Sequence, residues 1–422
     1  MDSFVIKGPA KLKGSVAVSG SKNTALPFIF SALLFDREVH FENIPRLWDI
    51  ETTLKLLSEM GCSYDWNKEE GKIALLPQVK TRIASYEWVT KMRAGILALG
   101  PLVAKFGEAK VSLPGGCAIG ARPVNFHLEA LKRMGAKVEV EEGYIKASVA
   151  SHLKGASIPF PEVSVTGTEN VLYLGCFAEG ETLIENAARE PEVVALGNLL
   201  KSFGAEIEGL GTSQIKIRGG KLKHPTEPIR IPADRIETGT WISIAMATGS
   251  DLVIENAAGN ELGEVLKVFR KMGLGIEEKN KGTTLKITPH SSYDAVSVET
   301  EAFPGFPTDM QAQILVNMCQ AQGSSHMREN IFENRYMHVA ELRRLGARIH
   351  IDGNLAKVEG PTLLKGAPMM ATDLRASASL VVAALMAHGT STISRIYHLD
   401  RGYQRLDKKL QSLGAQVTRV AQ

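Results

Sequence analysis

The chain has 422 residues, 44% of them apolar and 23% charged, with a formal net charge of +3. That is too long for one ordinary hydrophobic core, so two large domains or an array of smaller units is expected. The charge is too close to balance to imply nucleic acid unless the arginines cluster.

The opening MDSFVIKGPAKLKG has no basic-then-apolar leader pattern. The apolar run LPFIFSALLF that follows is about half the ~20 residues a membrane helix needs, so no membrane segment is expected. Cys62, Cys117, Cys176 and Cys319 are scattered, with no CxxC pair and no zinc-like His spacing. A disulfide framework or structural metal is therefore not expected, and a reducing cytoplasmic setting is.

Along the chain one pattern recurs six times. LLSEMGCSYDW, ALKRMGAKVEV, LLKSFGAEIEG, VFRKMGLGIEE, ELRRLGARIHI and KLQSLGAQVTR each read as an amphipathic helix, a glycine and an alternating strand. The glycines are Gly61, Gly135, Gly204, Gly273, Gly346 and Gly414, where a left-handed helix cap favours glycine. Upstream of each lies a more uniformly apolar helix: NTALPFIFSALLF, TKMRAGILALGPLVAKFG, ENVLYLGCFAEG, TGTWISIAMATG, DMQAQILVNMCQAQG and LRASASLVVAALMAHG.

Uniform apolarity places these helices inside and the charged-faced ones outside. The predicted repeat is inner helix, strand, outer helix, strand, with a period of roughly 70 residues. The breaker-rich HPTEPIRIPAD, 224–234, divides the repeats three and three. Two α/β globules, each with sheets walling a helical core, are the expected architecture.

Polar residues stand at the inner-helix starts: Lys22 and Asn23; Lys91 and Arg93; Glu169 and Asn170; Arg235 and Glu237; Thr308 and Asp309; Asp373 and Arg375. Capping alone would explain Thr308 and is one reading of Asp373. Cations oppose the helix dipole, so Lys22, Arg93 and Arg375 point to an anionic ligand. Arg122, Arg335 and Arg401 add to that set. If the inner helices of each globule point the same way, all six starts address one cleft.

The stretch LPGGCAIGARP, 113–123, reads as a glycine-rich loop bearing Cys117. A thiol with a guanidinium such as Arg122 nearby has its thiolate stabilised. The bland alternative is a turn whose cysteine is incidental, since cysteine most often behaves as a small buried hydrophobe.

SGSKNTALP, LPGGCAIGARPV, ENAAREPEVV, DRIETGT, FPTDMQAQ, IFENRYMHVAEL, ATDLRASASLVVAAL and IYHLDRGY together resemble the UDP-N-acetylglucosamine group of the enolpyruvyl transferase family over the whole chain. The resemblance implies an inside-out α/β barrel of two globules, 22–232 and 1–21 with 233–422, with the active site in the cleft between them. It implies a transferase of peptidoglycan synthesis acting on phosphoenolpyruvate and UDP-N-acetylglucosamine by addition and elimination, with no metal and no cofactor. No nucleic-acid or membrane partner is implied.

Residue by residue, the resemblance gives Lys22 the phosphoenolpyruvate contact and Asn23 the adjacent one. Arg122, Arg401 and Arg375 take the phosphate and carboxylate, and Arg335 and Asp373 belong to the same substrate-binding set. Arg93, Pro123, Val124, Asn125, Phe126, Glu162, Val163, Ser164, Val165, Asp309 and Ile331 line the nucleotide-sugar pocket, and Cys117 is the loop thiol. Addition to the enol double bond needs a proton for the methylene carbon and a base for the sugar hydroxyl; Cys117 and Asp309 are the candidates, with Lys22 and Arg401 completing the catalytic set.

Three positions depart from the family pattern. Asn125 stands for a common Asp, Glu162 for a common Lys and Trp48 for a common Lys, which removes positive charge near a nucleotide diphosphate. Two rival readings stand beside the main one: the sister enolpyruvylshikimate-phosphate synthase, and a catalytically silent nucleotide-sugar binder.

Overall fold

A computed structural model describes residues 2–115, 119–120 and 124–421. Cys117, Arg122 and Pro123 lie outside the described residues.

The six glycines after the outer helices all have positive φ, between 89° and 106°. Each provides the left-handed turn that ends one helix and starts a strand, as the repeat pattern predicts. The repeat itself is richer than the predicted two strands. Among the described residues five repeats carry a four-stranded sheet and the fifth a five-stranded one, because a leading strand lies parallel to the one after the inner helix and a hairpin strand follows the one after the outer helix.

The third repeat shows the plan. Ser157–Pro159 leads into the inner helix Val165–Gly175, then Glu181–Glu185, the outer helix Pro191–Ser202, and the hairpin Glu206–Glu208 and Gln214–Arg218. Ser157–Pro159 runs parallel to Glu181–Glu185, which pairs antiparallel with Gln214–Arg218. The inner helix of this repeat is thereby the crossover over a parallel pair. In the fifth repeat the inner helix is shorter than predicted: DMQAQILVNMCQAQG is helical only to Met318, and Ala321–Arg328 is already strand.

The chain forms two compact units. One, here the inserted globule, is built from Gly20 to Pro232. The other, the flanking globule, takes the residues up to Ser19 and from Ala233 onward, together with Ile119 and Gly120.

In each globule a strand comes from a sequence-distant part of that same globule. Ile229–Arg230, inside the breaker-rich stretch, is the leading strand of the first repeat, parallel to Val39–Glu42. Gly14–Ala17 leads the fourth repeat, parallel to Leu252–Glu255. Ser3–Gly8 lies between Gly389–Ser394 and Gln416–Val420 and completes the sixth, with Phe4 opposite Ile393 and Arg419.

The inner helices are buried on all sides, as their apolarity requires. In the flanking globule Arg235–Thr248, Gln311–Met318 and Leu374–Met386 pack on one another, with Trp241, Ile314, Leu315, Val382 and Leu385 fully buried. In the inserted globule the Tyr173 hydroxyl donates to the Pro27 carbonyl at 2.6 Å, tying the third inner helix to the first. Outer helices such as Gly263–Lys271 bury Val265, Leu266 and Phe269 and leave a charged face outward. Among the described residues no helix is long and apolar enough to cross a membrane.

Candidate active site

In the inserted globule the first inner helix, Lys22–Ser31, is capped by Ser21, whose hydroxyl accepts from the Thr24 amide. Lys22 does stand at a helix start, and its charge is balanced: Nζ lies 3.2 Å from Asp49 Oδ2, with the two side chains 12% and 6% exposed. Asp49 sits in the first turn of the outer helix Trp48–Glu59, a position that the dipole favours for a carboxylate. Trp48 itself is 53% exposed beside it, and Asn23 is half-buried.

The second and third repeats are joined by a buried imidazole. His127 follows Val124, Asn125 and Phe126, which begin the helix Asn125–Arg133. Its Nδ1 is 2.8 Å from Asn170 Nδ2, and its Nε2 is 3.3 Å from Thr166 Oγ1. Since the Asn170 amide nitrogen is the donor, Nδ1 accepts and the proton sits on Nε2. Burial, with the Arg93 charge adding to it, pushes the His127 pKa down to about 3.

Arg93 opens the turn Arg93–Ala98 ahead of the helix Leu99–Phe106. Asn170 Oδ1 accepts from the Gly100 amide at 2.8 Å. The Phe126 and Phe160 rings lie 6.1 Å apart, close to the segment Glu162, Val163, Ser164 and Val165. Two of the predicted nucleotide-sugar segments are thus brought together with Arg93. Within them Ser164 is a cap, accepting from the Gly167 amide, while Asn125, Glu162 and Val163 are exposed.

In the flanking globule the predicted residues meet most closely. Asp309 lies in the turn Thr308–Met310 that leads into the inner helix Gln311–Met318. Arg335 Nη2 donates to its Oδ1 at 2.9 Å and Arg375 Nη2 to its Oδ2 at 3.0 Å. The guanidinium side chains are 3% and 5% exposed and the carboxylate 28%. Burial raises the Asp309 pKa, but Arg375, Arg335 and Arg235 together outweigh it and hold the carboxyl well below the usual range.

Asp373 does act as a cap, with Oδ1 accepting from the Arg375 and Ala376 amides. Thr308 does not: its hydroxyl donates to Glu329 Oε2 at 2.9 Å and the turn has no side-chain cap. Arg401 follows the short helix Tyr397–Asp400, and its charge together with that of Asp373 acts on His398.

Two residues absent from the sequence reading organise this region. Glu329, 3% exposed, accepts from the Thr300 and Thr308 hydroxyls and from the Ile331 and Phe332 amides. One carboxylate thereby shapes both the turn carrying Asp309 and the loop presenting Ile331, which is 40% exposed. Tyr403, 2% exposed, accepts from Arg375 Nη1 at 3.3 Å. The only available signal was the IFENR and DRGY motifs in which they sit or which they adjoin. Among the described residues no group of three His, Cys, Asp or Glu could hold a metal.

This is the architecture of the enolpyruvyl transferases. The enolpyruvyl transferase NikO from Streptomyces tendae superposes with a TM-score of 0.89 at 22% identity, covering 99% of both chains. EPSP synthase from Acinetobacter baumannii superposes at 0.77 with 19% identity over the whole of both. A family model described as EPSP synthase (3-phosphoshikimate 1-carboxyvinyltransferase) matches residues 6–410. The chain belongs to this family. Relatives named UDP-N-acetylglucosamine 1-carboxyvinyltransferase from Nitratidesulfovibrio vulgaris and Thermodesulfovibrio yellowstonii are 50% and 51% identical over the full length of both chains, which bears out the resemblance drawn from the motifs.

Proposed function

We propose that this chain transfers the enolpyruvyl group of phosphoenolpyruvate to the 3′-hydroxyl of UDP-N-acetylglucosamine, releasing phosphate, as the first committed step of peptidoglycan synthesis. The full-length identity of about half to relatives bearing that activity as their name carries the reading. Three described cysteines that are free and buried suit a reducing cytoplasm.

The reaction is an addition followed by an elimination. In the first half a proton reaches the methylene carbon of phosphoenolpyruvate while the sugar oxygen bonds to the adjacent carbon and loses its own proton. In the second half the carbon–oxygen bond to phosphate breaks, the new methyl group gives up a proton and the double bond returns. Cys117 is assigned as the acid and Asp309 as the base, with Lys22, Arg122, Arg375 and Arg401 holding the phosphate and carboxylate.

Without substrate, Asp309 is a weak base, because two guanidiniums stabilise its anion. An arriving anion that draws Arg375 or Arg335 away would remove that stabilisation and raise the proton affinity of the carboxylate as the hydroxyl arrives. Substrate binding and activation of the base are then one event. Lys22 is likewise held by Asp49 until an anion competes for it. Arg93 and the paired segments beginning at Val124 and Glu162, with Ile331, serve the nucleotide sugar.

Phosphate release from phosphoenolpyruvate is the test, run with UDP-N-acetylglucosamine and separately with 3-phosphoshikimate. Release with the nucleotide sugar alone is expected. Release only with 3-phosphoshikimate assigns the sister activity, and binding of the nucleotide sugar without turnover assigns a silent binder.

A further inference from the structure

We propose that Tyr403 is a positioning residue that aims Arg375 at Asp309, an inference that rests on the functional reading above. Its hydroxyl is the meeting point of all three inner helices of the flanking globule. Thr240 Oγ1 from Arg235–Thr248 is 2.9 Å away, Gln313 Nε2 from Gln311–Met318 is 3.4 Å away, and Arg375 Nη1 from Leu374–Met386 is 3.3 Å away.

The protons in this cluster have one consistent arrangement. Thr240 Oγ1 donates to the Ile236 carbonyl at 2.8 Å, so its own proton is already committed. The tyrosine must then donate to Thr240, and it is left to accept from Arg375 and Gln313. Gln313 Nε2 also donates to Thr240 Oγ1 at 3.2 Å. Hydrogen bonds therefore run in one direction, from guanidinium to phenol to threonine to backbone carbonyl, an order in which each strengthens the next.

With Nη1 held by the phenol, Nη2 of the same rigid fork falls on Asp309 Oδ2 at 3.0 Å. The other charges facing this guanidinium and carboxylate are Asp234, the cap of Arg235–Thr248, with Arg235 and Arg335. Deleting the phenol oxygen leaves Nη1 without its acceptor, and Asp234 is the competing anion toward which Arg375 would turn. Asp309 then loses part of the charge that keeps it ionised.

The experiment compares wild type, Tyr403→Phe and Thr240→Val, the last leaving the phenol in place while removing the acceptor of its proton. In Tyr403→Phe kcat should fall roughly tenfold to a hundredfold, because Arg375 turned toward Asp234 no longer meets the substrate anion, the range being that of one hydrogen bond to a charged group, with a smaller change in KM for the nucleotide sugar. The acid limb of the kcat–pH profile should move to higher pH. Thr240→Val should move it the same way by less. Arg375→Lys alone and combined with Tyr403→Phe completes a double-mutant cycle in which the two losses should not add.

Carboxyl 13C shifts of labelled aspartate, assigned with Asp309→Asn, follow the titration of Asp309 without any need for turnover. Asp309 should titrate at higher pH in Tyr403→Phe, or in Thr240→Val should the phenylalanine variant not fold. An unmoved titration and pH profile accompanied only by a lower melting temperature, or additive losses in the cycle, would overturn the proposal. An inactive wild type with the titration shift still present would count against the functional reading and not against the role of Tyr403.

Discussion

Replacing Asp309 by Asn tests the centre of the flanking globule in both stability and chemistry. The carboxylate is the shared partner of Arg335 and Arg375, whose side chains are 3% and 5% exposed. Removing one partner of a fully buried ion pair costs about 3–5 kcal/mol. Here the carboxylate is 28% exposed and the amide keeps one oxygen that can still accept from one arginine. A loss of roughly 2 kcal/mol follows, which for a globule of this size lowers the melting temperature by about 4–8 °C.

The Asp309 pKa is depressed in the fold, so its stabilisation is present above the unfolded value near ~3.9 and is lost as pH falls below it. The deficit of Asp309→Asn relative to wild type should accordingly be constant from pH 5 to 8 and shrink below pH ~4. Turnover measured by phosphate release should drop by a factor of about 10²–10⁴, the contribution of a positioned base, while nucleotide-sugar binding measured by calorimetry survives. Turnover within a few-fold of wild type would reassign the base. An unchanged melting temperature at neutral pH would refute the argument that the two arginines depend on this carboxylate.

Three further outcomes are expected. His127 is buried neutral with its pKa pushed down to about 3, so below its ordinary value of ~6.5 the unfolded chain binds the extra proton; urea unfolding should show stability rising with pH from about 3 to 6.5 by up to ~1.4 kcal/mol per unit. His127→Gln should flatten that rise, and an equal slope in the variant would refute the assignment. A phosphonate carrying an epoxide should alkylate Cys117 alone, because burial pushes the Cys62, Cys176 and Cys319 thiols up to about 12; peptide mass mapping that finds the label elsewhere defeats this. Gly135→Ala meets no atom within 4 Å and bears only the strain of φ 89°, about 1–2 kcal/mol, whereas the added methyl of Gly100→Ala would stand 2.5 Å from Asn170 Oδ1 and should cost more; equal losses on thermal melting would contradict that ranking.

The repeats were legible because their signals are local. A glycine forced to positive φ after a helix and a helix apolar all round are properties of a dozen consecutive residues, and both hold at Gly61 through Gly414. The leading strands were not legible, because Ile83–Ala84, Ile229–Arg230 and Tyr293–Asp294 are two residues long and exist only through their partners. Cations at helix starts are legible at Lys22 and Arg375, but the carboxylates that balance them, Asp49 and Asp309, come from other elements. Tyr403 and Glu329 were missed for the same reason: the Thr240–Tyr403 contact joins residues 163 positions apart, and no periodicity carries that information.

The strand Ser3–Gly8 sits in the middle of the sixth sheet, between segments that end at Ser394 and Val420. During synthesis the inserted globule has all its residues once Pro232 has been made, and can close on itself while the rest is still to come. The strand Ser3–Gly8, with Phe4 and Ile6 destined for full burial, must wait until Gln416–Val420 has been made before both of its neighbours exist. The flanking globule therefore has the order of a clasp: a strand made early is fastened late, and its apolar side chains stay uncovered until Gln416–Val420 arrives.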